Sequence, residues 1–146
     1  MFTKPILVAL DESPRAAIVL SSAISLAHTW KAPLVLLRVI AMPSVQLSAE
    51  GLPTGIDLQT ALEAKARVEL GEQARAVPPD VVVKLVTILD VPWQGICDVA
   101  KAEGAGLIVV GSHGHKMLDT ILGTTATKVV NHADRSVLVV REQPVA

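Results

Sequence analysis

The sequence predicts an α/β fold: a doubly wound, five-stranded parallel sheet with helices on both faces. Three observations predict it. Short aliphatic runs alternate with helix-period segments in the order βαβαβαβαβ. The chain is 51% hydrophobic but 2% aromatic, so its core is built from Val, Leu, Ile and Ala, as in strands buried on both faces. At 146 residues it is long enough for one full core and short for two, so 1–146 is expected to form a single domain.

Pro5–Leu10 is a short apolar run ending at Asp11-Glu12 and reads as a central strand. Ser13-Pro14 then opens a helix, with Ser13 as cap and Pro14 at the first helical position. Ala17, Leu20, Ile24 and Ala27 give it an apolar stripe, and it ends near Trp30-Lys31. Pro33–Ile40 is the second strand, and one crossover between strands means parallel pairing.

Ala41–Ile56, with Pro43, Gly51, Pro53 and Gly55, is a long irregular connection. It leaves a strand's carboxyl end, so it is either a cover for a bound molecule or a tolerated surface insertion. Asp57 caps a helix to about Arg75, which Pro78-Pro79-Asp80 breaks. Val81–Leu89 is the third strand. Asp90-Val91-Pro92 begins a helix to about Glu103, and Gly104-Ala105-Gly106 turns into the fourth strand, Leu107–Val110. A glycine loop, a helix from Thr124 to about His132, a last strand Ser136–Arg141 and a frayed tail from Glu142 complete the chain.

The glycine loop organises the rest. Gly111-Ser112-His113-Gly114-His115 follows a buried strand, and Gly123-Thr124-Thr125 stands where the next helix begins. Gly111 and Gly114 allow a ligand to approach backbone N–H groups closely. At the helix start, unpaired N–H groups and the helix dipole favour an anion, and two hydroxyls add hydrogen bonds. Together these features read as a phosphate cradle, where an isolated Gly-x-x-Gly would read only as a turn.

The carboxyl edge of the sheet gathers further groups. Asp11 suits a ribose hydroxyl, although it equally suits a helix cap beside Ser13. The Val39 backbone, with apolar Leu89 and Val91, suits a base slot, which must be aliphatic in a chain so poor in rings.

Other chemistries are poorly supplied. Net charge is −1 with no basic run, which argues against nucleic acid and anionic lipid as partners. No apolar run reaches the roughly 18 residues of a membrane span, and Met-Phe-Thr-Lys-Pro lacks a signal-peptide layout, so a cytoplasmic location is expected. The single cysteine, Cys97, excludes an internal disulfide and reads as a small buried hydrophobe. Gly104-x-Gly106 precedes a strand rather than joining strand to helix, so it is no dinucleotide fingerprint. His113 and His115 lack a third partner for a metal, and Ser112 beside His113 lacks an ordered acid. His28, His132 and Arg38 receive no role.

The last strand is expected at a sheet edge, where Val137-Leu138-Val139-Val140 would pair with a second copy across a two-fold axis. An edge shielded by the tail is the alternative.

The opening Ile6–Pro14, Gly104–Val110, the glycine loop with Gly123-Thr124, and the closing Val130–Val140 together resemble the universal stress protein family over essentially the whole chain. The resemblance implies a flavodoxin-like or Rossmann-like sheet in order 3-2-1-4-5, a homodimer through strand five, and ATP as ligand, often with Mg²⁺. It implies that Asp11 and Val39 contact the adenosine part. It implies that Gly111, Gly114, Gly123, Thr124 and Thr125 surround the phosphates, with Ser112, His113 and His115 close by. Catalysis is then absent or very slow, and the role is regulatory, in stress survival. Two departures stand out: eight residues separate Gly114 from Gly123, one fewer than in the family's motif, and Gly106 replaces the family's usual Asp.

The competing functions are an ATP-binding module, a nucleotide-free dimeric scaffold of the same fold, and a slow ATPase or autophosphorylating protein using Ser112 or Thr124. A receiver domain using Asp11, Glu12 and Asp90 would not need the glycine loop, and its expected strand-end lysine is missing.

Overall fold

The structure is a computed structural model and describes residues 4–41, 55–112 and 122–142. Its elements are β1 (Ile6–Ala9), α1 (Ala16–Trp30), β2 (Leu34–Ile40), α2 (Gly55–Ala74), β3 (Val83–Leu89), α3 (Pro92–Ala102), β4 (Leu107–Gly111), α4 (Thr124–His132) and β5 (Ser136–Val140). All pairings are parallel, and the sheet order is β3-β2-β1-β4-β5, as the resemblance implied.

Strand alternation divides the core in two. Ile6, Val8 and Leu10 face a cluster with α1 and Leu70 of α2, while Leu7 faces one with Ile96 and Ala100 of α3 and Ala126 and Val129 of α4. Both faces of the three inner strands are thus dry, which explains their unbroken aliphatic runs. Each fully buried Leu, Ile or Val adds about 1.5–3 kcal/mol. The α1 stripe is Ala16, Val19, Leu20, Ala23 and Ala27, the i, i+3, i+4, i+7, i+11 spacing of one helix face. The helix stops at Lys31, whose φ of 54° is left-handed and whose N–H bonds the Ala27 carbonyl.

Several boundaries differ from expectation for identifiable reasons. α1 begins at Ala16, so Ser13 does not cap it and Pro14 lies in the preceding turn. Asp11 Oδ1 takes the Ser13 N–H at 2.9 Å instead, closing a local turn that competes with the helix. α2 begins at Gly55, so Asp57 falls inside its first turn rather than at its cap. β3 begins at Val83; Val81 N–H turns back to Pro78 O, and Val82 is 73% exposed. Pro92 does open α3, and α4 has the expected bounds. Cys97 is only partly buried. Most of the expected long connection (42–54) and the end of the tail (143–146) lie outside the described residues.

Candidate functional site

A cavity of about 600 Å³ opens at the carboxyl ends of β1, β2 and β4. That volume falls in the range of small-molecule sites, about 300–1,000 Å³. Its position is dictated by topology. From β1 the chain moves to β2 on one side, and β4 flanks β1 on the other, so the loops after β1 and β4 diverge and leave a crevice.

One end of the cavity is formed by Gly111, Gly123, Thr124 and Thr125. Gly111 closes β4 against α1: a Cβ there would stand 3.2 Å from Val19 Cγ2. Gly123 donates its N–H to the Ser112 carbonyl at 2.6 Å, while Ser112 N–H reaches Val140 O at 2.9 Å. These bonds tie the start of α4 to the ends of β4 and β5. Gly123 is extended (φ −63°, ψ 164°) and makes no side-chain cap, so the first turn of α4 presents its backbone donors at the cavity. Such a terminus attracts an anion.

The other end is apolar and is walled by Leu37, Val39, Pro92 and Ile96. α3 packs closely here because Gly95 has no side chain. A Cβ on Gly95 would meet Val39 Cγ1 at 3.0 Å and Ile88 Cδ1 at 2.9 Å.

Asp11 lines the cavity from the end of β1. Its backbone is held from below by Arg38, which is 7% exposed. Arg38 donates Nε–H to Leu10 O at 2.8 Å, and its terminal nitrogen donates to Asp11 O at 3.1 Å and to Gln73 Oε1 at 3.0 Å. Gln73 Nε2 donates to the same Asp11 carbonyl at 3.0 Å, and Glu69 Oε1 lies 3.7 Å from Arg38 Nη1. The buried charge is therefore met by three hydrogen bonds and a nearby carboxylate.

Of the expected site residues, the structure brings Asp11, Val39, Gly111, Gly123, Thr124 and Thr125 around one cavity. Ser112 is buried beside it and lines an adjoining small crevice. His113, Gly114 and His115 lie outside the described residues. Leu89 and Val91 do not line the cavity, and Val91 is 48% exposed; Pro92 and Ile96, one helical face further along α3, take their place. Arg15 and the Arg38 network were missed. A single cation in a strand looks like a strand-end residue until Gln73, 35 positions away, is seen beside it.

A parallel sheet in this order with a crevice at its switch point defines a doubly wound α/β module. Comparison with known proteins narrows the class: the universal stress protein family matches residues 3–141, and the chain belongs to that family. It is 33% identical over 143 residues to universal stress protein A homolog 1 of Coxiella burnetii, covering 96% of this chain and 97% of that protein. Among solved structures, protein MJ0577 of Methanocaldococcus jannaschii superposes with a TM-score of 0.82 at 26% identity, covering 97% of this chain and 98% of that one. Universal stress protein UspA from Lactobacillus plantarum superposes with a TM-score of 0.81 at 27% identity, covering 94% and 97%.

Proposed function

We propose that this protein binds an adenine nucleotide, ATP first among them, and acts as a nucleotide-dependent regulatory module with little or no catalysis. The observation that carries the reading is the cavity itself: a carboxylate, an aliphatic slot and a helix N-terminus surround one space of about 600 Å³. A nucleotide needs those three environments for ribose, base and phosphate. Asp11 accepts a ribose hydroxyl, Val39 and Ile96 sandwich the base, and Gly111, Gly123, Thr124 and Thr125 receive phosphate oxygens. Ser112, buried beside the cavity, adds to the phosphate side, and the family resemblance assigns His113, Gly114 and His115 to it as well. Two universal stress proteins of the same fold, at 18% and 22% identity to this chain, were solved in complex with cAMP and dAMP. Asp11 is the one carboxylate among the described lining residues, so Mg²⁺ arrives bound to the phosphates rather than to a protein cage.

The same reading treats 1–146 as a single domain, functioning in the cytoplasm as a homodimer joined through β5. Among the described residues, no helix is long and apolar enough to cross a membrane.

The test is native mass spectrometry of the purified protein followed by calorimetric titration with Mg·ATP. Micromolar binding of one ATP per subunit, lost in Thr124→Asp, which sets a negative charge at an exposed cavity-lining helix start, while the melting temperature holds, is the expected result. A folded wild type that binds no adenine nucleotide leaves the nucleotide-free scaffold as the reading.

A further inference from the structure

Arg15 and Asp11 are the only charged residues among the described residues lining the cavity. They stand four positions apart, and their neighbours differ. Arg15 also lines the small adjoining crevice, together with Gly111, Ser112, Val140 and Glu142. It therefore sits on the glycine side of the cavity, where the start of α4 is exposed. Its Nε lies 3.3 Å from Glu142 Oε2, two residues beyond β5. The pair is open to water, with side-chain exposures of 30% and 54%. An ion pair this exposed holds loosely and is readily exchanged for a stronger anion.

We propose that Arg15 reads the phosphate charge of the nucleotide and that Glu142 is the counter-ion it gives up. The inference rests on the nucleotide reading above and names the group that sets preference among nucleotides. Arg38 does not compete for that role, because its guanidinium is buried against the Leu10 and Asp11 carbonyls. An anion entering beside Gly111 and Thr124 meets the α4 N-terminus and Arg15 together. A triphosphate offers several charges to Arg15 and Glu142 offers one, so the guanidinium moves to the ligand. The preference then rises with phosphate number, in the order adenosine, AMP, ADP, ATP.

The experiment is calorimetric titration of the full chain with Mg·ATP and with adenosine, for wild type, Arg15→Gln, Arg15→Lys and Glu142→Gln. Arg15→Gln is expected to weaken ATP about tenfold, the scale of one charge-assisted contact, and to leave adenosine within about twofold. Arg15→Lys retains most of the ATP preference because it keeps the charge. Glu142→Gln tightens ATP about two- to threefold, having removed a weak competitor, and leaves adenosine unchanged. The proposal is overturned if Arg15→Gln binds ATP like wild type or weakens adenosine and ATP equally, or if Glu142→Gln fails to tighten ATP. A wild type that binds neither ligand overturns the nucleotide reading as well; a wild type that binds ATP with no dependence on Arg15 overturns this proposal alone.

Discussion

Arg38 on β2 reaches beneath β1 and donates its Nε–H to the Leu10 carbonyl at 2.8 Å, at the point where the strand ends and Asp11 turns toward the cavity. The carbonyls of Leu10 and Asp11 have left the sheet ladder at this point, and unpaired buried carbonyls are costly. Arg38 and Gln73 supply their partners from inside the protein.

Arg38→Leu therefore leaves the buried Leu10 carbonyl without its donor, takes one of two donors from the Asp11 carbonyl, and leaves Glu69 without its cation. The expected loss is about 2–4 kcal/mol of unfolding free energy, the range for breaking a buried, hydrogen-bonded charge. Arg38→Lys keeps the charge but not the fork and falls between the two. Urea denaturation measures both. A loss below about 0.5 kcal/mol for Arg38→Leu, the size of an ordinary surface substitution, would mean that water serves these carbonyls equally well.

Gly95 is a second hidden determinant. Converting a helical Gly to Ala gains up to about 1 kcal/mol of helix propensity. Against this, overpacking costs about 1–3 kcal/mol, and the new methyl would press on Val39 at 3.0 Å. Ile88 Cδ1 is the end of a flexible chain and swings away, whereas Val39 is β-branched and stiff. The two effects nearly offset in stability, but Val39 moves toward the cavity it lines. Gly95→Ala should thus keep its melting temperature within a few degrees and weaken Mg·ATP binding about five- to tenfold, by thermal melts and calorimetry together. Unchanged affinity would place the base elsewhere than against Val39.

Much of the fold was legible because its inner strands are buried on both sides. Leu107–Gly111 and Leu34–Ile40 have no polar alternation to confuse, and Pro92 marks the start of α3 by its fixed φ. The start of α1 was not legible. Ser13-Pro14 has the composition of a helix start, but the Asp11 side chain captures the Ser13 N–H first. Half the cavity was readable from glycines and hydroxyls at strand ends. The apolar wall was read one turn early: Leu89 and Val91 precede the helix, and it is the rotation of α3 that brings Ile96 to the cavity. Arg38 and Gln73 act through contacts 35 positions apart, which no local pattern encodes.

Cys97 offers a test of the α3 environment. Burial raises its thiol pKa above the ordinary value, and the negative charges of Asp98 and Asp134 raise it further, with Arg135 opposing. Asp134 is itself held below the usual carboxylate range by its hydrogen bond to Arg135, so it is charged at neutral pH. The fold favours the protonated thiol, so this contribution to stability is complete below the unfolded thiol pKa, about 8.5, and is lost as pH rises through the folded value. Iodoacetamide should modify Cys97 more slowly in the folded protein at pH 8 than in urea, with the gap closing as pH rises. Equal rates at pH 8 would show that the thiol is not perturbed.

The outer edge of β5 is the proposed contact between copies, and the structure identifies which residue tests it. Val137 and Val139 pack toward the α3 and α4 core, so a charge at Val139 would damage the fold and the edge together. Leu138 lies on the opposite face and is 37% exposed. An exposed apolar side chain on an unpaired edge is a hazard in a monomer and an asset in a dimer. Leu138→Glu places like charges near each other across a two-fold axis, where they oppose pairing, at the more exposed of the β5 faces. Light scattering should report a dimer for wild type and a monomer for Leu138→Glu, with circular dichroism unchanged. A dimer that persists in the variant would move the interface away from β5, and the exposed Val83 and Leu85 on the opposite edge strand, with Val82 just before it, would then be the residues to substitute.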